Sequence, residues 1–288
     1  MFHVKRRRRM LCYAPMALSR IIAIANQKGG VGKTTTTINL GASLAAADLR
    51  VLLVDLDPQG NCTSGLGMDK NTLQASTYHV LTEGADPLSA ICSTDLDSLD
   101  LLPSNRELTG ATVELLGVKR REFRLALALE PLHERYDFIL IDCPPTLGIL
   151  TLNALVAADS LLIPIQCEYF ALEGLSDLMD TLGRVQQSLN PKLCIEGVLL
   201  TMYDERLNLS AQIRQSVRGH LGDQVFQIII PRNVRLAESP SFGKPILLYA
   251  VRSKGADSYL QLAREILAKM APLEEKLPYA THSIGVIS

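Results

Sequence analysis

Lys28-Gly29-Gly30-Val31-Gly32-Lys33-Thr34-Thr35 stands directly after the largely apolar run from Arg20 to Asn26. A buried strand that ends in a glycine-rich turn and opens into a helix offers consecutive backbone N–H groups to an anion, reinforced by the positive end of the helix. The stretch therefore predicts a nucleotide-binding loop, with Val31 and Thr35 as part of it. Gly29, Gly30 and Gly32 let the backbone close around phosphates, Lys33 reaches the β- and γ-oxygens as a point charge, and the Thr34 hydroxyl is suited to ligate Mg²⁺. The general pattern is G-x-x-x-x-G-K-[ST], and here its first position is Lys28. A lysine at that point is surplus to the needs of its own loop.

Working outward, Thr34 to Ala47 carries Leu40, Leu44 and several alanines and reads as a helix. A second apolar run, Val51 to Val54, follows it and closes with Asp55-Leu56-Asp57-Pro58-Gln59-Gly60. This β-α-β unit delivers two carboxylates to the carboxyl end of its second strand, where open α/β sheets bind ligands. An aspartate at a strand end also serves as a simple turn former; beside a phosphate loop, metal and water are the stronger expectation. Asp137 to Cys143 has four apolar residues before Asp142, the form of a Walker B strand. Mg²⁺ keeps several of its waters, so Asp142 is expected to hold its hydration shell. Pro144-Pro145 then turns the chain away from the sheet.

Further along, the pattern predicts helices over 72–83 and 107–130, with a short strand at Leu99 to Leu102 between them. Helices are also expected at 148–157, 171–189, 210–221 and 256–271, and strands at 160–166, 195–202 and 225–230. Strands alternating with helices imply an α/β fold, a doubly wound and mostly parallel sheet flanked by helices. No internal repeat or long linker divides the chain, and one domain over 16–274 is expected, followed by a tail at 275–288.

The 288 residues, 47% of them hydrophobic, suffice for one full core, and no run of 18 apolar residues is present. Six scattered cysteines form no C-x-x-C pair, and the five histidines show no ligand spacing. Neither zinc nor a disulfide framework is indicated, and a reducing compartment is the simple inference. Residues 1–15 are read either as a basic leader, disordered and able to attract nucleic acid, or as the result of a misplaced start, with translation beginning at Met16. Lys5 to Arg9 supply five positive charges against no acid, so without them the formal net charge of −1 becomes −6. An acidic chain must gather its Lys and Arg locally to bind DNA.

Four segments, NQKGGVGKTTTTINLGASLA, RVLLVDLDPQGNCTSGLG, YDFILIDCPPTLGILTLNAL and IIIPRNVRLAESPSFGKPI, resemble the ParA/Soj family of chromosome- and plasmid-partitioning ATPases. The likeness covers about Ser19 to Met270, and the loop is the deviant Walker A form. The resemblance implies ATP and Mg²⁺ as cofactors and slow, partner-stimulated hydrolysis. Two subunits are expected to sandwich ATP in a homodimer, with Lys28 crossing the interface to the other subunit's phosphates. Asp57 resembles the residue that positions the attacking water, Asp55 lies near the metal shell, and Pro231 and Asn233 lie where the family packs adenine. Arg206 and Arg235 match arginines implicated in non-specific DNA binding; read alone, each is a solvated surface charge. A ParB-type centromere-binding protein is the implied partner, and a cytoplasmic, nucleoid-associated location follows, with no membrane expected.

Three alternatives compete. A MinD-like membrane-associated ATPase shares the loop but needs a basic amphipathic C-terminal helix. The tail from Glu274 to Ser288 is short, broken by Pro278 and nearly uncharged. An iron–sulfur carrier would want cysteines paired across a dimer, which the spacing does not offer. A catalytically weak regulatory adaptor of the same fold would keep the loop but not hydrolysis, against which Lys28, Lys33, Thr34, Asp57 and Asp142 are all retained.

Overall fold

The computed structural model describes residues 19–168 and 173–270. In chain order the elements are β1 (Arg20–Ile24), α1 (Lys33–Ala45), β2 (Val51–Asp55), α2 (Asn61–Gly65), α3 (Thr77–Thr82), α4 (Pro87–Ala90), β3 (Cys92–Ser93), β4 (Leu99–Leu102), α5 (Leu108–Glu114) and α6 (Arg124–Leu129). They continue with β5 (Phe138–Asp142), α7 (Ile149–Ala157), β6 (Ser160–Gln166), α8 (Glu173–Ser188), β7 (Cys194–Thr201), α9 (Asn208–Leu221), α10 (Val234–Glu238), α11 (Ile246–Tyr249) and α12 (Lys254–Met270).

The seven strands lie in the order β3-β4-β2-β5-β1-β6-β7. All neighbours are parallel except the short edge pair β3 and β4. Residues 51–55 and 138–142 are buried throughout, as expected of central strands covered on both faces. One layer packs α1 and α12 against Ile22, Ile24, Leu53 and Leu140, and the other packs α7 and α8 against Ala23, Val54, Ile141 and Ile163. Strand β1 lies between β5 and β6, so the loop leaving it opens at the carboxyl edge of the sheet beside both neighbours. Register places Asp142 next to Ile24 and next to Asp55.

The predicted strand and helix pattern holds for most of the chain and fails in three places. Only Thr77–Thr82 of the expected 72–83 helix forms, because the chain there ties itself to the sheet: Thr77 N donates to Pro103 O at 2.8 Å and its hydroxyl to Asp55 O at 2.9 Å. The expected 107–130 helix breaks into α5 and α6 around Arg120, whose φ of 56° is left-handed and cannot continue an α-helix. Residues 225–230 touch the edge of β7 through one isolated bridge, Val198 to Val225, and do not form a strand. The Gln227 and Ile228 amides donate to the Glu265 carboxylate at 2.9 and 3.1 Å, which takes Ile228 out of the ladder that the Phe226 and Ile230 amides make with β7. The expected helix at 171–189 is described from Glu173; residues 171–172, the leader and the tail lie outside the described residues.

Candidate nucleotide site

The loop between β1 and α1 needs two left-handed turns, which glycine provides without a side-chain clash: Gly30 has φ 74° and Gly32, capping α1, has φ 91°. Gly29 and Gly30 are exposed, whereas Val31 is buried and anchors the loop, its carbonyl accepting the Thr201 hydroxyl at 2.8 Å. Lys33 is 7% exposed and donates its ammonium to the carbonyl of Lys28 at 3.2 Å. Burial lowers its pKa, while the charges of Asp142 and Asp57 pull the other way. The lysine is thus folded over the glycine turn. Thr34 and Thr35 are half-buried in the first turn of α1.

Three aspartates gather at the ends of β2 and β5. Asp55 and Asp142 are fully buried and Asp57 nearly so. Desolvation, opposed by hydrogen bonds from Thr63 and the Asp57 amide, pushes the Asp55 carboxyl up to about 6. Desolvation and the neighbouring Asp55 charge raise Asp142 well above the usual carboxylate range. Asp142 Oδ1 accepts the Thr37 hydroxyl at 3.3 Å, and its Oδ2 is buried without a hydrogen-bond partner. A buried, unpartnered carboxylate oxygen beside a second acid is a place for a cation. Among the described residues no group of three or more acidic, histidine or cysteine side chains converges on a metal position. That sparse set fits Mg²⁺, which relies on waters and phosphate oxygens, with Thr34 and Asp142 at hand. Asp55 is different: Oδ1 accepts the Asp57 amide at 3.2 Å, and Oδ2 accepts both the amide and the hydroxyl of Thr63 at 2.8 and 2.7 Å. Its oxygens are occupied by the following loop, an arrangement that favours organising that loop over binding metal directly. Asp57 Oδ1 accepts the Gln59 amide at 2.9 Å, which fixes the side chain at the turn.

Lys28 points away from this interior. Its amide is held by Asn26 Oδ1 at 2.9 Å, and its ammonium pairs with Glu168 Oε2 at 2.9 Å, with side chains 37% and 48% exposed. Beside the loop lies a cavity of about 290 Å³, lined among others by Gly32, Thr35, Thr201, Pro231, Asn233 and Tyr259. The structure thus brings Pro231 and Asn233 to the phosphate loop across some 200 residues of sequence. Asn233 also caps α10, accepting the amides of Arg235 and Leu236 at 2.9 and 3.3 Å. Arg206 and Arg235 are 85% and 59% exposed and paired with Asp204 and Glu238. Their loops adjoin, since Arg232 N donates to Tyr203 O at 2.9 Å and Tyr203 N to Ile230 O at 3.1 Å.

Sequence reading missed Thr201, Tyr259, Thr63, Ser104 and Glu168 at this site. Thr63 and Ser104 are short polar residues 41 positions apart, and only their burial at 0% marks them. Glu168 was findable as a carboxylate two residues beyond β6, but nothing in the pattern pairs it with Lys28.

A family model described as an AAA domain matches residues 19–195. The chain is 56% identical to the chromosome partitioning protein ParA of Myxococcus xanthus, over 88% of this chain and 90% of that one. It is 55% identical to the sporulation initiation inhibitor protein Soj of Bacillus subtilis, over 87% and 99%. Among solved structures, cobyrinic acid a,c-diamide synthase of Mycobacterium smegmatis with bound ATP analog and magnesium superposes with a TM-score of 0.78 at 40% identity, covering 88% of this chain and 96% of that one. With a glycine-rich loop over which Lys33 folds, Asp142 buried beside that lysine, and this level of identity along nearly nine-tenths of its length, the chain belongs to the ParA/Soj family of chromosome-partitioning P-loop ATPases.

Proposed function

We propose that this protein is an ATP-driven DNA-partitioning switch, in which two subunits close around ATP, bind DNA without regard to sequence, and release it when a ParB-type partner accelerates hydrolysis. The observation that carries this reading is the contrast in placement of the two lysines. Lys33 is buried over the loop, whereas Lys28 is presented at its exposed lip. A cation there serves a second subunit's phosphates as an arginine finger does in trans.

ATP is bound by Gly29 to Thr35, with its base in the cavity at Pro231 and Asn233. Mg²⁺, when bound, draws charge from the phosphates; Thr34 and the free oxygen of Asp142 hold its shell, and Asp55 supports it through the loop. Asp57 orients a water toward the γ-phosphate, giving ADP and inorganic phosphate. Arg206 and Arg235 exchange their carboxylate partners for DNA phosphates, on adjoining loops. The protein then works in the cytoplasm on the nucleoid. The M. smegmatis structure bound to ATP analog and magnesium supports the cofactors, and the identity to ParA and Soj supports the cycle. Among the described residues no helix is long and apolar enough to cross a membrane.

Light scattering after size exclusion, with ATP and with ADP, tests the switch. A dimer retained on DNA only with ATP is expected. A monomer in both nucleotides would overturn it.

A further inference from the structure

Asp57 sits in a closed ring of hydrogen bonds that the nucleotide chemistry alone does not require. Its amide donates to Asp55 Oδ1 at 3.2 Å. Asp55 Oδ2 accepts the Thr63 hydroxyl at 2.7 Å. Thr63 Oγ1, having spent its proton on that carboxylate, accepts the Ser104 amide at 2.9 Å. The Ser104 hydroxyl completes the ring by donating to the carbonyl of Asp57 at 2.9 Å. Thr63, Ser104 and Asp55 are all 0% exposed. An ionised carboxylate only accepts, so while Asp55 is charged the donor direction at Thr63 is fixed and the others follow from it.

The ring joins three separate pieces of chain: the end of β2, the first turns of α2 and the turn after β4. It grips residue 57 through both its N–H and its C=O. The same carbonyl also accepts the Gly60 amide at 2.8 Å, and Gly60 itself lies where an added Cβ would stand 2.7 Å from Ser104 O. The peptide planes on either side of Asp57 therefore cannot rotate without breaking a buried hydrogen bond, and the Gln59 amide sets the side chain.

We propose that Thr63 and Ser104 are positioning residues for hydrolysis. They act through Asp57 by holding its main chain so that its carboxylate meets the attacking water in one orientation. The assignment rests on the reading of Asp57 as the water-positioning residue. It goes beyond that reading because the hydrogen bonds of both side chains go to Asp55, Asp57 and the Ser104 amide, not to the phosphate loop. Both would otherwise pass for core polar groups.

A misplacement of about 1 Å in such a group costs on the order of a hundredfold in rate. The test is single-turnover hydrolysis of ATP, alongside ATP affinity from a fluorescent analogue, for Asp57→Ala, Thr63→Val, Thr63→Ser and Ser104→Ala. Thr63→Val and Ser104→Ala are expected to slow hydrolysis by about tenfold to a hundredfold while binding ATP as the parent does. Thr63→Ser keeps the hydroxyl and is expected to restore most of the rate. Ser104→Ala leaves the Asp57 carbonyl bonded to Gly60 and so keeps the fold even if Thr63→Val does not. If Asp57→Ala hydrolyses at the parental rate, the underlying reading of Asp57 fails. If Asp57→Ala is slow but Ser104→Ala is not, the positioning role is wrong. Loss of affinity and rate together in Ser104→Ala, or failure of Thr63→Ser to rescue a folded Thr63→Val, makes the ring merely structural and also overturns it.

Discussion

The Lys28 ammonium reaches across the mouth of the site to Glu168, 140 positions away in sequence, at 2.9 Å. Both groups are partly solvated, so the pair is worth no more than about 1 kcal/mol. It therefore parks the lysine without trapping it, and a partner's phosphates can outbid the carboxylate. Lys28→Ala is expected to bind ATP almost as the parent does while losing the ATP-dependent dimer and stimulated hydrolysis. Normal dimerisation of that variant by light scattering would remove the trans role.

Binding and hydrolysis should separate at Asp57. Asp57→Ala is expected to trap an ATP dimer that stays on DNA. Lys33→Ala should stop the cycle earlier, at nucleotide binding, as should Gly30→Val, since a β-branched residue at φ 74° costs on the order of 1–2 kcal/mol and distorts the turn. Filter retention of DNA with labelled ATP distinguishes the two stopping points. Parental turnover in Asp57→Ala would contradict the assignment.

Asp142 gives a pH-dependent signature. Unfolded, its carboxyl ionises near 3.8; folded, burial and the Asp55 charge keep it protonated to a much higher pH. The raised value means that its contribution to stability is full at low pH and is lost as pH climbs above about 4 through the folded value. Asp142→Asn removes the buried charge, although Lys33 then keeps only Asp57 as an acidic neighbour. The nucleotide-free variant is expected to gain about 1–3 kcal/mol at pH 8, a gap that narrows toward pH 4, while losing Mg²⁺-dependent hydrolysis. Urea midpoints at the two pH values provide the check. Equal midpoints at pH 8 would show that the lone oxygen carries no penalty.

DNA affinity should depend on exposed arginines. Neutralising Arg206 or Arg235 is expected to weaken binding to every sequence alike, lowering the salt slope by about one unit per lost contact in each subunit, with ATPase activity without DNA unchanged. A basic leader would make the opposite forecast: deleting residues 1–15 would abolish binding and Arg235→Ala would not. Affinities at two salt concentrations for both constructs decide between them.

Local pattern alone determined the phosphate loop, the ends of β2 and β5 with Asp55, Asp57 and Asp142, and the parallel α/β class. Each depends on neighbours in sequence: an apolar strand, glycines where the backbone turns left-handed, a helix after the lysine. Periodicity also gave strands 99–102 and 160–166 with their observed bounds. It failed at 225–230, where Glu265 in α12 takes the Ile228 amide, which lies in phase with the Phe226 and Ile230 amides that do reach β7, a competition invisible until α12 packs. It failed likewise at 107–130, where apolar spacing suited a helix but Arg120 turns left-handed. The resemblance, not periodicity, put Pro231 and Asn233 at the nucleotide, and only the tertiary structure decided that Lys28 meets Glu168 and that Thr63 and Ser104 close a ring around Asp57. The reason is physical: a hydrogen bond or ion pair between distant residues leaves no periodic trace in the chain, and the burial that strengthens the Thr63–Ser104 ring exists only after the sheet and its helices have come together.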